Sequence, residues 1–485
     1  MDEPSGIQFP AAKDGRRSTS AVGRGVVADA LRAVDPVGAG EAERETSWRT
    51  GYLAHFRRLV DAGLDSPDTA RRIAADGLDS LRRRMRVIQE GVELPLDRWY
   101  EEAAIPLSTA EIRGSRQPAT ELSLPLHGER LSGDALLAQL DRWVERGVVE
   151  PSVTDALREV VAHPEWLRLD GWTVGVVGAA AEMGPTRALL RWGARVAAVD
   201  LPVPRLWDRL TEEARQRAGT LLVPFSDTGK GLAASAGVDL TTAGPRAAAW
   251  LGGVEGPLVV GNYVYADGAD NVRVSISVDV LTTHLLGHRD DVALAFLATP
   301  TDVFAVPADA VEHASRSYGE RSRTARLVGR PLRTVTGGRL LQRAYAPGSD
   351  PGISDCLVPQ QGPNYALAKR LQRWRATMER AQGRVVSFKV APPTRTRSVL
   401  KNRALAAAYA GAHRFGVEVF EPATSNVLMA ALLVHDLQTG GGPRHEHPWQ
   451  DEAFAAVHGG LWRTAYAPRS ALGLAALLGY GAARS

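Results

Sequence analysis

The sequence predicts an α/β fold, with a doubly wound parallel sheet and an α-helical N-terminal appendage. The apolar run TVGVVG at 173–178 is followed by a helical pattern and by a second apolar run, ARVAAVD, at 194–200. A strand, a helix and a strand at this spacing predict two parallel strands joined by a crossover helix. Four more strands are expected near 234–239, 257–261, 292–297 and 384–390. This repeated alternation is typical of a doubly wound sheet.

The 485 residues divide into this α/β part and its attachments. The first 40 residues mix Gly, Pro, Ser and charged side chains without periodicity, which predicts a flexible arm. The expected order is a flexible arm at 1–40, a helical region at 41–168, the α/β domain at 169–437 with an insertion at 300–362, and a tail at 438–485.

Regular spacing of apolar residues predicts the helices of the region 41–168. Aromatic and aliphatic side chains recur at every fourth position from Trp48 to Val60, as on one face of a helix. Ser66 before Pro67 has the form of an N-cap followed by a first-turn proline, so a second helix is expected to run to Met85. Two more helices are expected at 133–146 and 152–161, after a proline-rich connection at 92–127.

The composition excludes several classes of protein. Apolar residues make up 44% and charged residues 23%, near the averages for soluble globular chains. A single cysteine, Cys356, makes neither an internal disulfide nor a cysteine zinc site, and a cytoplasmic location is expected. No apolar run reaches the roughly 18 residues that span a bilayer, and the net charge of +3 does not favour nucleic acid as a partner. His445 and His447 lie in a polar loop, and no metal site is predicted.

A glycine-rich turn, GAAAEMG from Gly178 to Gly184, lies between the first strand and the first helix of the α/β part. Glycine allows a tight turn and a close approach of backbone N–H groups to phosphates. Asp200 ends the second strand, where a carboxylate accepts hydrogen bonds from the ribose hydroxyls of adenosine and repels a 2′-phosphate. NAD is therefore favoured over NADP, although Glu182 replaces the middle glycine of the usual pattern. The alternative is a turn that only joins a strand to a helix.

Tyr365 and Lys369 lie four residues apart in the sequence GPNYALAK, at the expected start of a helix, and so share one face. A nearby ammonium favours the phenolate and lowers the tyrosine pKa towards working pH, which makes the tyrosine a usable acid or base. Lys369 also stands out because lysine is rare in this arginine-rich chain. The alternative is a surface tyrosine one turn from a solvated lysine.

Together these features resemble the short-chain dehydrogenase/reductase superfamily over about residues 171–437. Seven motifs occur in the order found in that family. They are the turn Gly178 to Gly184, Asp200, the strand end at 238–240, Asn262, the helix SISVDVL at 275–281, the Tyr365/Lys369 pair, and the segment Pro392 to Thr396. The resemblance implies a Rossmann-like, NAD-binding domain.

The resemblance also implies roles for individual residues. Tyr365 would exchange a proton with the substrate oxygen, while Lys369 would hold the nicotinamide ribose and lower the tyrosine pKa. The implied cofactor contacts are Gly178, Glu182, Met183, Gly184, Asp200, Asp239 at the adenine, Asn262, and Thr396 at the carboxamide. Hydride transfer is the chemistry of the cofactor, and the protein supplies position and a proton. Family members usually pair through the helix that carries the tyrosine, so a homodimer is possible.

Two catalytic positions depart from the family pattern. Asp279 replaces a helix asparagine that relays protons through water, and it would add a charge beside Lys369. The family serine lies after the fifth strand, where this chain has Thr299 and Thr301; Ser354 is nearer to the tyrosine in sequence. We assign the role to Thr299, whose hydroxyl would hydrogen-bond the substrate carbonyl.

The insertion carries the densest run of charge in the chain. Between His313 and Tyr345 it has eight arginines against a single acid, Glu320. The arginines are Arg316, Arg321, Arg323, Arg326, Arg330, Arg333, Arg339 and Arg343. The run follows the fifth strand, at the edge of the sheet where ligands bind, so it could form a lid for an anionic or carrier-linked substrate. A solvated charged loop is the alternative.

Three functions remain open at this point. The first is an NAD-dependent oxidoreductase that interconverts a hydroxyl and a carbonyl on a small, anionic or carrier-linked substrate. The second is a non-redox lyase, epimerase or isomerase of the same fold that uses bound NAD and Tyr365. The third is a non-catalytic nucleotide-binding scaffold. The retained Tyr365/Lys369 pair favours the enzymes, and the glycine missing at position 182 favours the scaffold.

Overall fold

The computed structural model describes residues 5–101, 104–105 and 107–481, without the side chains of 324–326, 328 and 330. These residues form a mixed α/β fold around a seven-stranded, mostly parallel sheet. Two of the eight arginines of the insertion, Arg326 and Arg330, have side chains outside this description.

The N-terminal elements precede the main sheet. They are β1 (Gly6–Gln8), α1 (Thr19–Arg32), α2 (Pro36–Arg44), α3 (Trp48–Gly63), α4 (Pro67–Arg84), β2 (Arg86–Gln89), β3 (Val92–Pro95) and α5 (Leu96–Glu101). The next elements are β4 (Ser108–Arg113), β5 (Leu124–Leu126), β6 (Glu129–Leu131), α6 (Gly133–Glu145), α7 (Pro151–Ala162) and a 3-10 helix at Pro164–Arg168.

The α/β part alternates strands with helices. It contains β7 (Thr173–Val177), α8 (Thr186–Trp192), β8 (Arg195–Val199), α9 (Pro204–Arg215), β9 (Thr220–Phe225), α10 (Leu232–Ser235), α11 (Leu240–Gly252), β10 (Leu258–Asn262), α12 (Ala269–His288) and β11 (Val292–Ala298). It continues with β12 (Val303–Val306), α13 (Ala308–Gly319), α14 (Arg323–Val335), β13 (Gly352–Asp355), α15 (Gly362–Ala381), β14 (Val386–Val390), α16 (Arg397–Lys401), α17 (Arg403–Gly411), a 3-10 helix at Ala412–Phe415, α18 (Pro422–Gln438), α19 (Pro448–Ala453) and α20 (Pro468–Gly479).

The strand order of the main sheet is β14-β11-β10-β7-β8-β9-β4. All neighbours are parallel except β4, which pairs antiparallel with β9 at the edge. In the register, Val177 of β7 stands beside Asn262 of β10, which stands beside Phe296 of β11. The carboxyl ends of the central strands therefore meet at one edge, and the segments that follow them lie together.

Alternate side chains of the strands enter two separate cores. Val174 and Val176 of β7 pack in one core with α6, α7, α8 and α18, while Val177 faces the other. The second core contains α11, α12 and α15, and the N-terminal helices α1, α3 and α4 add to it. Helices thus cover both faces of the sheet. Because both faces of these parallel strands are buried, their sequences are continuous apolar runs.

The expectation of a third strand at 234–239 is wrong. The structure places that strand at β9, whereas 234–239 holds the end of α10 and a turn. Gly237 has a φ of +95°, and a Cβ there would lie 2.4 Å from Nε1 of Trp207. A backbone held in this left-handed conformation against a tryptophan cannot continue a strand.

The expectation of a flexible arm is wrong for residues 5–40. Strand β1 pairs with β2, and Val26, Val27 and Leu31 of α1 are fully buried. The expected α-helical character of 41–168 holds for α3, α4, α6 and α7. At the start of α4 the Ser66 hydroxyl accepts a hydrogen bond from the Thr69 N–H at 3.1 Å. The region also contains strands, and β4 from the proline-rich connection is the edge strand of the main sheet.

The helix α15 is covered from outside by α3 and α4. A Cβ on Gly77 of α4 would lie 2.4 Å from the ring of Trp374, so the two helices pack at close range only because Gly77 lacks a side chain. Trp374 is 4% exposed. The N-terminal helices therefore occupy a face of α15 that a partner subunit would need for pairing through this helix.

The C-terminal segment is held by a buried charge cluster. Glu150, just before α7, accepts hydrogen bonds from Arg463 at 2.6 and 2.8 Å and from His458 Nε2 at 2.8 Å. Burial opposes ionisation of this carboxyl, but the hydrogen bonds from Arg463 and His458 lower the pKa of Glu150 to about 2. Arg463 also reaches the half-exposed Asp309 of α13. The cluster joins three distant parts of the chain.

Among the described residues, no helix is both long and apolar enough to cross a membrane.

We expect Arg463→Met to lower the free energy of unfolding by about 3–5 kcal/mol, because it leaves the Glu150 charge buried without its main partner. Urea unfolding of the full chain measures this loss. Asp309→Asn removes the exposed partner of the same guanidinium and should cost under about 1 kcal/mol. Equal losses of unfolding free energy in the two variants would contradict the conclusion that the buried Glu150 is the main partner of Arg463.

Candidate functional site

The turn after β7 requires glycine at its first position. Gly178 has a φ of +87°, and a Cβ there would lie 2.9 Å from the carbonyl carbon and oxygen of Tyr263, just after β10. The Gly184 N–H donates to the Ala181 carbonyl at 3.1 Å, and the Gly184 carbonyl accepts from the Asn426 amide. Met183, within the turn, is partly buried and packs against the core that includes α8 and α18. The turn therefore approaches the neighbouring strand end as closely as a glycine permits.

Asp200 follows β8 and reaches the glycine turn. Its carboxylate accepts a hydrogen bond from the Ala180 N–H at 2.8 Å and another from the Leu201 N–H at 2.8 Å. Burial raises the pKa of this carboxyl above its ordinary value. A carboxylate has about four acceptor positions, so Asp200 keeps capacity for hydroxyl donors beside the turn.

Glu182 links the turn to the segment that follows β14. Its carboxylate accepts from the Arg397 N–H at 2.9 Å and lies 3.1 Å from Nε of the same arginine. Thr396 is the preceding residue, and its hydroxyl lies 2.9 Å from that of Ser398. Thr396 therefore lies next to the glycine turn, and the carboxylate of Glu182 lies there too.

Asp239 and Asn262 have defined partners. Asp239 is the N-cap of α11, and its carboxylate accepts from the Thr241 N–H at 2.8 Å and from the Thr241 hydroxyl at 2.7 Å. Asn262, 4% exposed at the end of β10, accepts through Oδ1 from Gln372 Nε2 at 3.2 Å. Asn262 therefore belongs to the network around α15, while Asp239 caps a helix.

Lys369 of α15 points at the carboxyl end of β11. Its Nζ donates to the Leu297 carbonyl at 3.2 Å and to Gln372 Oε1 at 3.2 Å. Gln372 also contacts Asn262, so the lysine, the glutamine and the asparagine form one chain of hydrogen bonds across β10 and β11. Burial lowers the pKa of Lys369 to about 8.

Tyr365 lies one turn before Lys369 and is partly exposed. Burial raises the pKa of its phenol, a hydrogen bond with Thr299 acts in the opposite direction, and the negative charge of Asp302 raises it further. The expectation that Lys369 brings the Tyr365 pKa down is wrong for this arrangement. The reason is that burial dominates, while the lysine ammonium is directed at Leu297 and Gln372.

A chain of hydroxyl groups leads to Tyr365. Gln361 Nε2 donates to Thr301 Oγ1 at 2.7 Å, and the Thr301 and Thr299 hydroxyl oxygens are 2.8 Å apart. Since Thr301 accepts from an amide, its own proton is available to Thr299, and the Thr299 proton is then available to the Tyr365 oxygen. In this direction Thr299 stabilises the phenolate and leaves the Tyr365 proton free for another acceptor. Ser354, the nearer serine in sequence, instead lies 3.2 Å from Sγ of Cys356.

Asp279 is not beside Lys369. Its carboxylate is paired with the Arg375 guanidinium through two hydrogen bonds, at 2.7 and 2.9 Å. Arg375 follows Lys369 by six residues, which is about 9 Å along the helix axis. The expectation that Asp279 adds a charge at the lysine is therefore wrong, because an arginine further along α15 neutralises it.

A buried ion-pair cluster lies directly after the threonines. Asp302, 2% exposed, contacts Arg370 and Arg373 of α15, each at 2.8 Å. Arg373 also makes two hydrogen bonds to Glu452, at 2.8 and 2.6 Å. Two guanidinium groups thus face two carboxylates, and every charge has a partner. Sequence analysis missed Asp302, although it stands beside Thr301, because its partners are about 70 residues away along the chain.

Sequence analysis also missed Gln361 and Gln372. Gln372 follows Lys369 by three residues, and this helical spacing was a usable signal. Gln361 stands just before α15, where no spacing pattern marks it. Tyr265 is a further neighbour, with its ring centroid 6.2 Å from that of Tyr365.

Three of the described arginines of the insertion, Arg321, Arg333 and Arg343, contact aromatic side chains. The Arg321 guanidinium lies 3.2 Å from the centre of the Tyr318 ring and donates to the Tyr466 hydroxyl at 3.3 Å. Arg333 donates to the Tyr318 hydroxyl. These contacts place Arg321 and Arg333 against the aromatic side chains of α13 and of the C-terminal segment. Within the described part of the chain, no group of three His, Cys, Asp or Glu side chains is arranged to hold a metal ion.

The shifted pKa of Lys369 predicts a pH dependence of stability. Between about pH 8 and the ordinary lysine pKa of 10.5, the unfolded chain holds a proton that the folded chain has lost. The free energy of unfolding should therefore rise with pH in this range. Between pH 7 and pH 10 the free energy of unfolding of the wild type should rise by about 2 kcal/mol more than that of Lys369→Met, as measured by urea unfolding. Lys13→Met, at an exposed lysine, is the control, and parallel curves for wild type and Lys369→Met would contradict the prediction.

The chain matches no protein-family model and none of the curated proteins with which it was compared. The geometry of the site is therefore the basis on which a function can be assigned.

Proposed function

We propose that the protein is an NAD-dependent oxidoreductase of the short-chain dehydrogenase/reductase type that interconverts a hydroxyl and a carbonyl. The observation that carries this proposal is the meeting of Tyr365 with Thr299 after β11, with Lys369 one turn further along α15. The strand order supports a doubly wound, Rossmann-like sheet, because it reverses direction between β7 and β10. Open sheets of this kind bind ligands in the crevice at that point.

The residues around β7 and β8 fit a dinucleotide. Gly178 gives the turn its close approach to the neighbouring strand, and Asp200 has free acceptor positions for ribose hydroxyls and a charge that disfavours a 2′-phosphate. Thr396 is brought to the same turn by Arg397. A bound NAD would supply the hydride acceptor and NADH the hydride donor. We propose that Gly178, Asp200 and Thr396 hold it.

The residues of the chain then supply the proton. Because burial raises its pKa, Tyr365 is protonated at neutral pH and can donate to a carbonyl oxygen. Thr299 donates to the tyrosine oxygen and stabilises the phenolate that remains, and Thr301 and Gln361 support Thr299 from behind. Carbonyl reduction is therefore the direction favoured at neutral pH, and the phenolate regains its proton from solvent.

A second function has one observation in its favour. Glu182 puts a carboxylate on the turn where the phosphates of a dinucleotide would lie, and Arg397 already neutralises it. This internal ion pair favours a non-redox enzyme in which Tyr365 moves protons and the turn holds no dinucleotide, unlike the NAD-using lyase, epimerase or isomerase expected from the sequence. The two proposals differ in whether the turn binds NADH.

Tyr365→Phe should lower kcat about 10²- to 10⁴-fold, because it removes the proton donor but keeps the ring. The measurement is NADH oxidation with pyruvate, acetoacetate and cyclohexanone as probe carbonyls. The dissociation constant for NADH, from fluorescence titration, should be unchanged. Tyr265→Phe removes a neighbouring hydroxyl that donates to Asp267 at 2.9 Å and should have little effect. Full activity in Tyr365→Phe would remove this tyrosine from the mechanism.

Glu182→Gln should tighten NADH binding about fivefold, because it removes a negative charge near the phosphates and frees Arg397. Fluorescence titration of NADH measures the change. Glu421→Gln removes the carboxylate of a neighbouring ion pair, Arg395 with Glu421 at 3.5 Å, and should leave the affinity unchanged. If neither the wild type nor Glu182→Gln binds NADH, the oxidoreductase proposal fails and the non-redox function is preferred.

A further inference from the structure

A pocket with mostly apolar walls opens at the edge of the sheet near Thr301. It lies between the segment after β13, helix α17 and the C-terminal segment with α20, and its volume is about 80 Å³. Its walls include Leu357, Leu405, Ala408 and Leu472. A cavity of about 150 Å³ holds a benzene ring, so the enclosed part of this pocket has room for about half a six-membered ring, or about three non-hydrogen atoms.

Two lining residues connect the pocket to Tyr365. Thr301 stands at one end of the pocket and belongs to the hydroxyl chain through its contact with Thr299. Tyr409 lines another wall, and burial raises the pKa of its phenol, to which the charge of an ionised Tyr365 adds. A polar group at the Thr301 end of the pocket would therefore lie beside the hydroxyl chain that leads through Thr299 to Tyr365.

The pocket offers no free charge to its ligand. Arg469 is the one Lys, Arg, Asp or Glu among the described residues that line it, and its guanidinium is paired with Asp355. Asp355 also has Arg57 at 3.9 Å. Arg321 and Arg333 of the insertion contact Tyr318 and Tyr466, and none of the insertion's arginines whose side chains are described lines the pocket. A charged ligand would lose its hydration here without gaining a partner.

We propose that this pocket is the substrate site and that it takes an uncharged apolar group, about three non-hydrogen atoms of which are enclosed, attached to the reacting carbonyl or hydroxyl. This inference rests on the proposed function and replaces the expectation of an anionic substrate. A small cyclic or branched ketone has the required size and polarity. The hydrocarbon part fills the space between α17 and α20, and the oxygen lies at the Thr301 end of the pocket, on the side of Tyr365.

Binding of cyclohexanone to the full chain, without cofactor, tests the pocket directly. Saturation-transfer NMR should detect cyclohexanone, and pyruvate, which is anionic and of similar size, should bind at least tenfold more weakly. Ala408→Phe should weaken cyclohexanone binding at least tenfold, because the new ring occupies the pocket. Ala404→Phe places the same ring at an exposed position four residues earlier on α17 and is the matched control.

A second variant keeps the test decisive if Ala408→Phe does not fold. Leu405→Ala enlarges the pocket and should raise the affinity for 4-ethylcyclohexanone relative to cyclohexanone at least threefold, whereas Leu477→Ala, at an exposed leucine of α20, should not. The inference would be overturned if pyruvate bound more tightly than cyclohexanone, or if neither Ala408→Phe nor Leu405→Ala changed ketone binding. Pocket-dependent binding of cyclohexanone without any NADH binding would instead uphold the pocket and contradict the proposed oxidoreductase.

Discussion

The position of the site depends on the buried contact of Asp302 with two arginines of α15. Asp302 directly follows Thr301, so its ion pairs with Arg370 and Arg373 fix α15 against the end of β11. The same register puts Tyr365 within reach of Thr299. Removing charges from water costs several kcal/mol for each ion, and the cost is offset only when all partners are in place. Because a shift of α15 along its axis would separate these charges, the helix is held in one position. The hydroxyls of Tyr365 and Thr299 therefore keep their relative positions.

The N-terminal helices hold α15 from its other side. Trp374 fits against Gly77 of α4, and the Tyr52 hydroxyl of α3 donates to the Val358 carbonyl at 3.4 Å. A helix packed on two sides loses freedom that a surface helix keeps. In a family that pairs subunits through this helix, a second chain gives the same support. Here the chain provides that support itself, so this face of α15 is not available for a homodimer without moving α3 and α4.

Local patterns predicted the parts of the molecule in which neighbours in sequence are neighbours in space. The Ser66 cap belongs to this class, because its hydroxyl accepts from an N–H three residues later. The glycine at 178 and the helical spacing of Tyr365 and Lys369 could also be found in the sequence, but their contacts with Tyr263, Thr299 and Leu297 could not. The flexible arm and the strand at 234–239 failed because burial by distant helices and the close contact of Gly237 with Trp207 decide those segments. Pairings such as Asp279 with Arg375 span about 96 residues, and no spacing rule identifies them.

The distribution of charge explains why the site relies on hydroxyl groups. Asp302, Asp279 and Glu150 are all buried against arginines, and those arginines belong to α15 or to the C-terminal segment. Ion pairs thus serve to fix the helices, and their charges are balanced before a ligand arrives. What remains near Tyr365 is the Thr299 hydroxyl, the phenols of Tyr265 and Tyr409, and Lys369 one turn further along α15. In such surroundings a neutral proton donor costs less to bury than a charged one, and the raised pKa of Tyr365 follows from the same cause.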